Sequence, residues 1–315
     1  MAHDVARLLL SPPHSAALRE LASRAVAETT GDRLHRLALL GQELPIGLRR
    51  ALVDFRLTGG AGLVIGGLPL HDADLGASPP VATETPRHDE LARADAMLLL
   101  VASFLGYPVS QAGVDGGRLV RDISPAPGHE ATQLGSSSSA ELMWHTEDAF
   151  HPLRPDWVCL LCLRNPDRTA TSLAPIDDVP LDDRTRAVLF EPRFLIRPDS
   201  SNSADWQPHP VPVLTGDRQR PFVRIDPAFM TGNPADPEAA AALATLVEAV
   251  GGRLRDVPLA PGEILLIDNF RSVHGRRPFT ARYDGRDRWL RTVCATADLR
   301  RSEGLRTGRA IGVLP

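Results

Sequence analysis

The sequence predicts a mainly β protein with flanking helices, in which short strands form a sandwich or barrel such as a jelly roll. Two observations predict this class. From Gly106 to the end of the 315-residue chain, short apolar runs alternate with Pro, Gly and Asp, which is typical of strands joined by tight turns. Before Gly106, apolar residues recur mostly at helical spacing. With 43% hydrophobic residues, the chain can bury a substantial core.

The N-terminal third supplies most of the predicted helices. Residues 15–29 and 32–40 carry Leu, Ala and Val at helical spacing, with Arg and Glu between them. Residues 63–65 form a short buried strand flanked by glycines. Residues 88–105 form a further helix, because Asp and Glu occupy its first turn and an apolar body follows.

The rest of the chain supplies the strands. The apolar runs predicted as strands are residues 157–163, 187–196, 222–225, 264–267 and 289–295. One alanine-rich helix interrupts them, as an insert near residues 235–250. We therefore expect an N-terminal helical region, residues 1–55, packed on a jelly-roll domain that spans residues 56–315.

The charged residues exclude several classes of function. All 35 residues counted as Lys or Arg are arginines, so the chain contains no lysine. A lysine Schiff base, a P-loop and a kinase-type catalytic lysine are therefore excluded. The net charge of −4 argues against nucleic acid as a partner. No apolar run reaches the roughly 18 residues of a membrane span.

Localisation is predicted from the termini and the cysteines. The N-terminus lacks a recognisable signal peptide, and three cysteines cannot form a framework of disulfides, so we expect a cytoplasmic protein. Cys159 and Cys162 have the Cys-x-x-Cys spacing of a metal or redox site. They lie in a continuous apolar run, however, and positions i and i+3 of a strand point to opposite faces. Buried core cysteines are the preferred interpretation.

Two of the ten histidines, His88 and His145, are followed by an acid two positions later. With 39 acids in 315 residues, about one such pair is expected by chance, so context must separate them. His88 opens a helix, where positions i and i+2 diverge. In an extended segment, His145 and Glu147 lie on one face and can bind one metal ion. A third ligand would complete the two-His, one-carboxylate triad that leaves positions open on Fe(II).

His274 is the best candidate for that third ligand, because it follows a turn and a buried strand over residues 261–270. Arg288 lies fourteen residues further, at the head of the strand 289–295. Antiparallel pairing could bring Arg288 near His274, where an arginine can hold a carboxylate through two parallel hydrogen bonds. The residues alone leave open a surface role for Arg288 and a satisfied loop histidine at position 274.

Two segments carry a resemblance to a known family. Residues 143–151, Met-Trp-His-Thr-Glu-Asp-Ala-Phe-His, and residues 268–276, Asp-Asn-Phe-Arg-Ser-Val-His-Gly-Arg, resemble the Fe(II)/2-oxoglutarate oxygenases of the clavaminate synthase-like group. Within that group the chain looks most like hydroxylases of free arginine, lysine or asparagine. The resemblance implies a double-stranded β-helix, a jelly roll with flanking helices, and an oxidoreductase that is a 2-oxoglutarate-dependent dioxygenase.

The resemblance also implies the site. The implied iron ligands and catalytic residues are His145, Glu147 and His274. Arg288 matches the arginine that binds the distal carboxylate of 2-oxoglutarate, and a hydroxyl residue that assists it is Ser172 by spacing, or its neighbour Thr171. Fe(II), 2-oxoglutarate and O₂ are the implied cofactors. The reaction gives a hydroxylated product, succinate and CO₂, and Glu147 favours it over halogenation because related halogenases carry a small residue there.

The substrate is implied by fewer residues. In arginine hydroxylases an acid-x-acid pair clamps the guanidinium, whereas here the pair is Asp226 and Ala228. A single carboxylate suits an ammonium at least as well as a guanidinium, so lysine or another basic free L-amino acid is expected. Asp199 matches a further acidic pocket position, and Glu147 is also a candidate substrate contact. Asp199 and Asp226 both lie beside proline, and a turn role explains them equally well.

One position departs from the group. Some relatives carry an arginine four residues after the 2-oxoglutarate arginine, for the substrate carboxylate, and this chain has Thr292 there. Arg291 is expected on the other face of the strand. Either another group holds the carboxylate, or the substrate is a larger or carrier-tethered natural-product intermediate. A non-catalytic metal- or ligand-binding jelly roll is the alternative from another class. The oligomeric state is left open.

Overall fold

The computed structural model describes residues 5–27, 33–58, 60–79, 88–111, 117–198, 209–232, 235–304 and 312–314. The helices in this part of the chain are α1 (Pro12–Ala27), α2 (Arg33–Gly41), α3 (Ile46–Thr58), α4 (Asp89–Leu105), α5 (Asp183–Leu189) and α6 (Pro237–Gly251). Among the helices so described, none is long and apolar enough to cross a membrane.

The strands follow in chain order. They are β1 (Ala6–Leu9), β2 (Leu63–Gly66), β3 (Tyr107–Gln111), β4 (Arg121–Ile123), β5 (Leu142–His145), β6 (Trp157–Arg164), β7 (Thr171–Pro175), β8 (Phe194–Ile196), β9 (Leu214–Gly216), β10 (Pro221–Val223), β11 (Met230–Gly232), β12 (Arg255–Val257), β13 (Ile264–Asp268), β14 (Ser272–Arg276), β15 (Trp289–Thr296) and β16 (Val313–Leu314).

Two sheets carry the architecture. The large sheet has the order β1-β2-β13-β6-β15-β3-β16, and β4 also pairs with β15. The small sheet has the order β12-β7-β14-β5 and is antiparallel throughout. Two further antiparallel pairs, β9 with β10 and β8 with β11, complete the described strands. The predicted class, a sandwich of strands with flanking helices, is confirmed.

The side chains of the large sheet alternate between two core layers. In β15, Trp289 and Val293 pack with α1, α2, α3 and α4, whereas Leu290 and Cys294 face inward. The inward-facing layer meets Leu173 of the small sheet. This alternation follows from the two-residue period of a strand, and both faces are buried because helices cover one and the small sheet covers the other.

The opposite face of the small sheet has its own cover. Side chains of β5, β7 and β14 form one cluster with α5 and α6, so the predicted insert near residues 235–250 packs outside the sandwich. Asp236 caps α6, because its side chain accepts a hydrogen bond from the backbone N–H of Ala239 at 3.0 Å. The boundary between a helical region and a jelly-roll domain stays a prediction.

Three details differ from the expectations or decide between them. The run 187–196 is not one strand: it contains the end of α5, which Asp182 caps by accepting from the Thr185 N–H, and then β8. The N-terminal region also contains a strand, β1, which pairs in parallel with β2. Cys159 and Cys162 are free, buried and on opposite faces of β6, as the core interpretation predicts.

Candidate active site

Two histidines from distant parts of the chain face each other across the small sheet. His145, the last residue of β5, lies directly opposite His274 in β14. Their ring centroids are 4.7 Å apart. Gly275 permits this close pairing, because a Cβ atom there would lie 2.6 Å from the carbonyl oxygen of Leu142. The register of two strands therefore brings two predicted ligands together.

Glu147 completes the cluster from the turn after β5. Its Oε2 atom lies 3.7 Å from Nε2 of His145 and 3.4 Å from Nε2 of His274. The three ligand atoms all lie within 4.8 Å of one another, which is close enough to share one metal ion. Two imidazoles and one carboxylate form the donor set that binds Fe(II) and leaves coordination positions open.

The hydrogen bonds around the cluster fit a metal site. Nδ1 of His145 donates to the carbonyl oxygen of Met143 at 2.8 Å, which leaves the lone pair on Nε2 for a metal. The backbone N–H of Glu147 donates to Oδ1 of Asn269 at 2.7 Å, and the Asn269 amide donates to the Glu147 carbonyl at 3.0 Å. Asn269 is fully buried, so it fixes the turn that carries the carboxylate.

The charges of the cluster are strongly coupled. Burial opposes ionisation of Glu147, but hydrogen bonds from His145 and His274 and the charge of Arg121 hold its pKa well below the ordinary range. Burial also opposes protonation of His145, but contact with Glu147 outweighs it and raises the pKa of His145 to about 9. Burial lowers the pKa of His274. Metal binding through Nε2 of either histidine competes with protonation of that nitrogen.

The cluster opens into a cavity of about 410 Å³ between the two sheets. Its apolar wall includes Val158, Leu160 and Leu290, from the inward face of the large sheet. The volume is within the range of pockets that bind small molecules. Arg288 and Asp226, which come from different parts of the chain, line the same cavity.

Arg288 is a buried cation with little to neutralise it. Its guanidinium makes one long hydrogen bond, 3.4 Å from Nη2 to Oγ1 of Thr171, and within the described residues its Nε has no partner. Burial lowers the pKa of Arg288 to about 10. An unpaired buried charge is costly, so this position is suited to an anion that enters the cavity.

The two hydroxyl candidates beside Arg288 are separated by the alternation of β7. Thr171 lines the cavity and contacts Arg288, whereas Ser172 is absent from the cavity lining. Neighbouring residues of a strand point to opposite faces, so only one of the pair can serve this site. The geometry favours Thr171 over Ser172 as the residue that assists Arg288.

Asp226 reaches the cavity through contacts with the turn that carries Glu147. Thr146 donates its N–H to the carbonyl oxygen of Ile225 at 2.8 Å, which places residue 226 near the cluster. The Asp226 carboxylate also accepts from the N–H of Ala228 at 3.1 Å, so the residue forms a turn as well as lining the cavity. Asp199 lies outside the described residues.

Thr292 lines the cavity and is buried, and Arg291 lies on the other face of β15. These are the orientations expected from a regular strand. Thr292 is directly opposite Arg121 of β4.

Comparison with known proteins decides the family. A family model described as taurine catabolism dioxygenase TauD, TfdA family, matches residues 189–294. An enduracididine beta-hydroxylase from Streptomyces hygroscopicus is 41% identical over 303 residues, which cover 88% of this chain and 89% of that protein. The chain belongs to the TauD/TfdA dioxygenase family.

Two further similar proteins are an amino acid hydroxylase and an iron oxygenase of known structure. An L-ornithine/L-arginine 3-hydroxylase from Catenulispora acidiphila is 37% identical over 295 residues, which cover 85% of this chain and 86% of that protein. The crystal structure of the non-heme iron oxygenase OrfP in complex with Fe and alpha-ketoglutaric acid matches with a TM-score of 0.92 and 39% identity. The match covers 98% of this chain and 100% of the OrfP chain. The predicted family, jelly-roll fold, dioxygenase class and cofactors are confirmed.

Two residues of this dioxygenase site were not predicted from the sequence. Arg121 donates from Nη2 to Oε1 of Glu147 at 3.2 Å, on the side of the carboxylate away from the histidines. Asn269 holds the backbone of Glu147. Asn269 lies within the segment 268–276 that carries the resemblance, so that segment was a usable signal. Arg121 lies in a three-residue strand with no distinctive pattern, and nothing in the sequence separates it from the other arginines.

Proposed function

We propose that this dioxygenase hydroxylates an unactivated C–H bond of a free L-amino acid with a basic side chain, and that 2-oxoglutarate is converted to succinate and CO₂. One observation carries the proposal: a single cavity contains the His145, Glu147 and His274 cluster, the unneutralised Arg288 and the carboxylate of Asp226. These groups provide, in turn, a metal site, an anion site and a site for a cation.

The cosubstrate site follows from charge and hydrogen bonding. Arg288 would bind the distal carboxylate of 2-oxoglutarate, because it is buried, cationic and without an acidic partner in the described residues. The Thr171 hydroxyl would add a further hydrogen bond to the same carboxylate. A dianionic cosubstrate would then neutralise the charge that the protein leaves uncompensated.

The three ligand residues and the rest of the cavity would have separate roles in the reaction. His145, Glu147 and His274 would hold Fe(II), which supplies the activation of O₂ needed to oxidise a C–H bond. The chain itself binds and orients the two organic molecules. Its apolar wall, with Val158 and Leu160, would limit water at the reacting carbon, and fixed positions would lower the entropic part of the barrier.

The preference for a basic substrate rests on Asp226. A cationic side chain can be buried only where an acid compensates it, and Asp226 lines the cavity. The α-ammonium group would lie near Glu147. The ornithine/arginine hydroxylase named above supports a basic substrate, whereas lysine in particular has no specific support. Because position 228 is an alanine, Asp226 is a single carboxylate, which can pair with either a guanidinium or an ammonium group.

The test is a substrate panel. Purified protein is incubated with Fe(II), 2-oxoglutarate and O₂, together with L-arginine, L-ornithine, L-lysine or L-asparagine. Succinate is measured beside the mass of the amino acid. We expect a basic amino acid to gain one oxygen atom in step with succinate formation, and a His145→Ala variant to give neither product.

Two results would contradict the proposal. A higher rate with L-asparagine than with any basic amino acid would remove the role given to Asp226. Hydroxylation of a carrier-tethered amino acid, with none of the free ones accepted, would show that the substrate is not free. Full activity of His145→Ala would overturn the metal site.

A further inference from the structure

The remaining question in the cavity is what binds the α-carboxylate of the substrate. This question rests on the proposed function, because only a free amino acid brings that group into the cavity. A carboxylate removed from water needs a cation or several donors. The chain has no lysine, so the fixed cations are arginines. Four arginines line the cavity in the described residues: Arg121, Arg197, Arg276 and Arg288.

Arg276 is already used by the protein. Its Nη atoms donate to Oγ of Ser137 at 2.7 Å and to the carbonyl oxygens of Ser138 and Ala140 at 3.0 Å. These bonds hold the segment that forms one wall of the cavity. Arg276 is therefore a structural cation.

Arg288 and Arg197 are excluded as ligands of the substrate α-carboxylate for other reasons. Arg288 is assigned to 2-oxoglutarate. Arg197 is exposed, and its backbone N–H bonds to the carbonyl oxygen of Phe229, three residues from Asp226. Arg197 therefore belongs to the end of the cavity where Asp226 would bind the substrate side chain.

Arg121 has both the position and the unused donors. Its Nη2 contacts Oε1 of Glu147 at 3.2 Å and Sγ of Cys294 at 3.6 Å. Its Nη1 and Nε make no hydrogen bond within the described residues, and neither is enclosed, since a fifth of the side chain is exposed. The guanidinium thus contacts the Glu147 carboxylate with one nitrogen, and its other two nitrogens are not used by the described residues, beside the cavity that Arg121 lines.

The charges beside Arg121 match the backbone of an amino acid. Arg121 and Glu147 form an adjacent cation and anion, with the Asp148 carboxylate also acting on Arg121, and a zwitterion has an adjacent carboxylate and ammonium. Directly opposite Arg121, at the distance of a cross-strand pair, is the neutral Thr292. We propose that Arg121 binds the α-carboxylate of the amino acid substrate.

The test compares an acid with its amide. Binding of L-arginine and of L-argininamide to protein loaded with Fe(II) and 2-oxoglutarate is measured by calorimetry without O₂. If the substrate panel selects ornithine or lysine, that amino acid and its amide are used. Arg121→Gln should weaken binding of the acid about 100-fold, as expected for loss of one partner of a desolvated charge pair. Binding of the amide should change less than about threefold.

Matched variants separate this role from others. Arg197→Gln removes another cavity arginine and should leave the preference for acid over amide unchanged. The double variant Arg121→Thr with Thr292→Arg moves the cation to the opposite strand and should restore at least tenfold of the lost affinity. Iron content and the visible absorption band induced by 2-oxoglutarate should stay as in the wild type in Arg197→Gln and in Arg121→Gln, because the amide that replaces the guanidinium can still donate to Glu147.

Three results would contradict the assignment of Arg121. If Arg121→Gln keeps the wild-type preference for the acid, the assignment of Arg121 is wrong while the proposed function stands. Loss of iron or of the absorption band in that variant overturns the assignment as well, because Arg121 would then act on Glu147 instead. If no amino acid binds the wild-type protein, both the assignment and the proposed function fail.

Discussion

Two buried arginines, Arg288 immediately before β15 and Arg291 within it, lie only three residues apart but have opposite electrostatic surroundings. On the outer face, Arg291 donates to both carboxylate oxygens of Asp95 in α4, each at 2.7 Å, and to the buried Asp122 of β4. On the cavity side, the one side-chain partner of Arg288 among the described residues is the Thr171 hydroxyl at 3.4 Å. Both arginines are buried, so burial does not distinguish them. The distinction lies in whether the protein supplies the counter-charge.

The pKa values of the two arginines shift in opposite directions. Burial opposes the charge of both. For Arg291, Asp95 and Asp122 outweigh burial and raise its pKa, whereas the pKa of Arg288 falls to about 10. The acids beside Arg291 make it a stabilising part of the fold, whereas the charge of Arg288 is left for a ligand to neutralise. The predictions that follow test this contrast, from the largest expected effect to the smallest.

Arg291→Met should destabilise the protein by about 3 to 5 kcal/mol, because it leaves Asp95 and Asp122 as uncompensated buried acids. Chemical denaturation followed by circular dichroism measures this loss. As the matched control, the triple variant that also carries Asp95→Asn and Asp122→Asn should recover most of the stability. If Arg291→Met alone were as stable as the wild type, the contrast between Arg291 and Arg288 would not hold.

Arg288→Met should raise the KM for 2-oxoglutarate about 100-fold, since a desolvated charge loses its partner. The free energy of unfolding of the protein without cosubstrate should stay equal or rise, because the variant no longer buries an unpaired guanidinium. Titration with 2-oxoglutarate and denaturation of the same samples give both values. A stability loss as large as that of Arg291→Met would mean that Arg288 is structural.

Asp226→Asn should weaken binding of the preferred basic amino acid about tenfold and leave the melting temperature nearly unchanged. Asp95→Asn is the counterpart on the outer face, and it should lower the melting temperature without changing the choice between basic and neutral amino acids. The rates with the substrate panel, measured beside thermal melts, check both statements. Equal selectivity of the two variants would contradict them.

Thr171→Val should raise the KM for 2-oxoglutarate about fivefold, the effect of one hydrogen bond to a charged group. Ser172→Ala alters the neighbouring residue, which faces away from the cavity, and its KM should stay within about twofold. Initial rates at varied 2-oxoglutarate give both constants. The reverse order would return the assisting role to Ser172.

The sequence was informative where a single pattern dominates a segment. The continuous apolar runs of β6, β13 and β15 predicted buried strands, since both faces of the large sheet are covered. The resemblance carried by residues 143–151 and 268–276 located the three ligand candidates, which the structure brings within 4.8 Å of one another. Local chemistry and local hydrophobicity were sufficient for these features.

Other features depended on contacts that spacing does not encode. β14 contains the cavity residues His274 and Arg276 and the buried Ser272, which donates to the carbonyl oxygen of Ala61, so no apolar run marks it as a strand. Thr171 and Ser172 could not be separated, since a difference of one residue reverses the face. Arg121 becomes recognisable only when β4 pairs with β15 and places it opposite Thr292.

The pairing of His145 with His274 also affects how the protein holds together. β5 is an edge strand of four residues, hydrogen-bonded only to β14 in the small sheet. An ion bound by one histidine from each strand would link β5 to β14 at this short edge. It would also stabilise the folded chain, because it would bind the folded state far better than the unfolded one. Removal of iron should therefore loosen β5 first, and protease sensitivity near residue 145 would report the metal content of the enzyme.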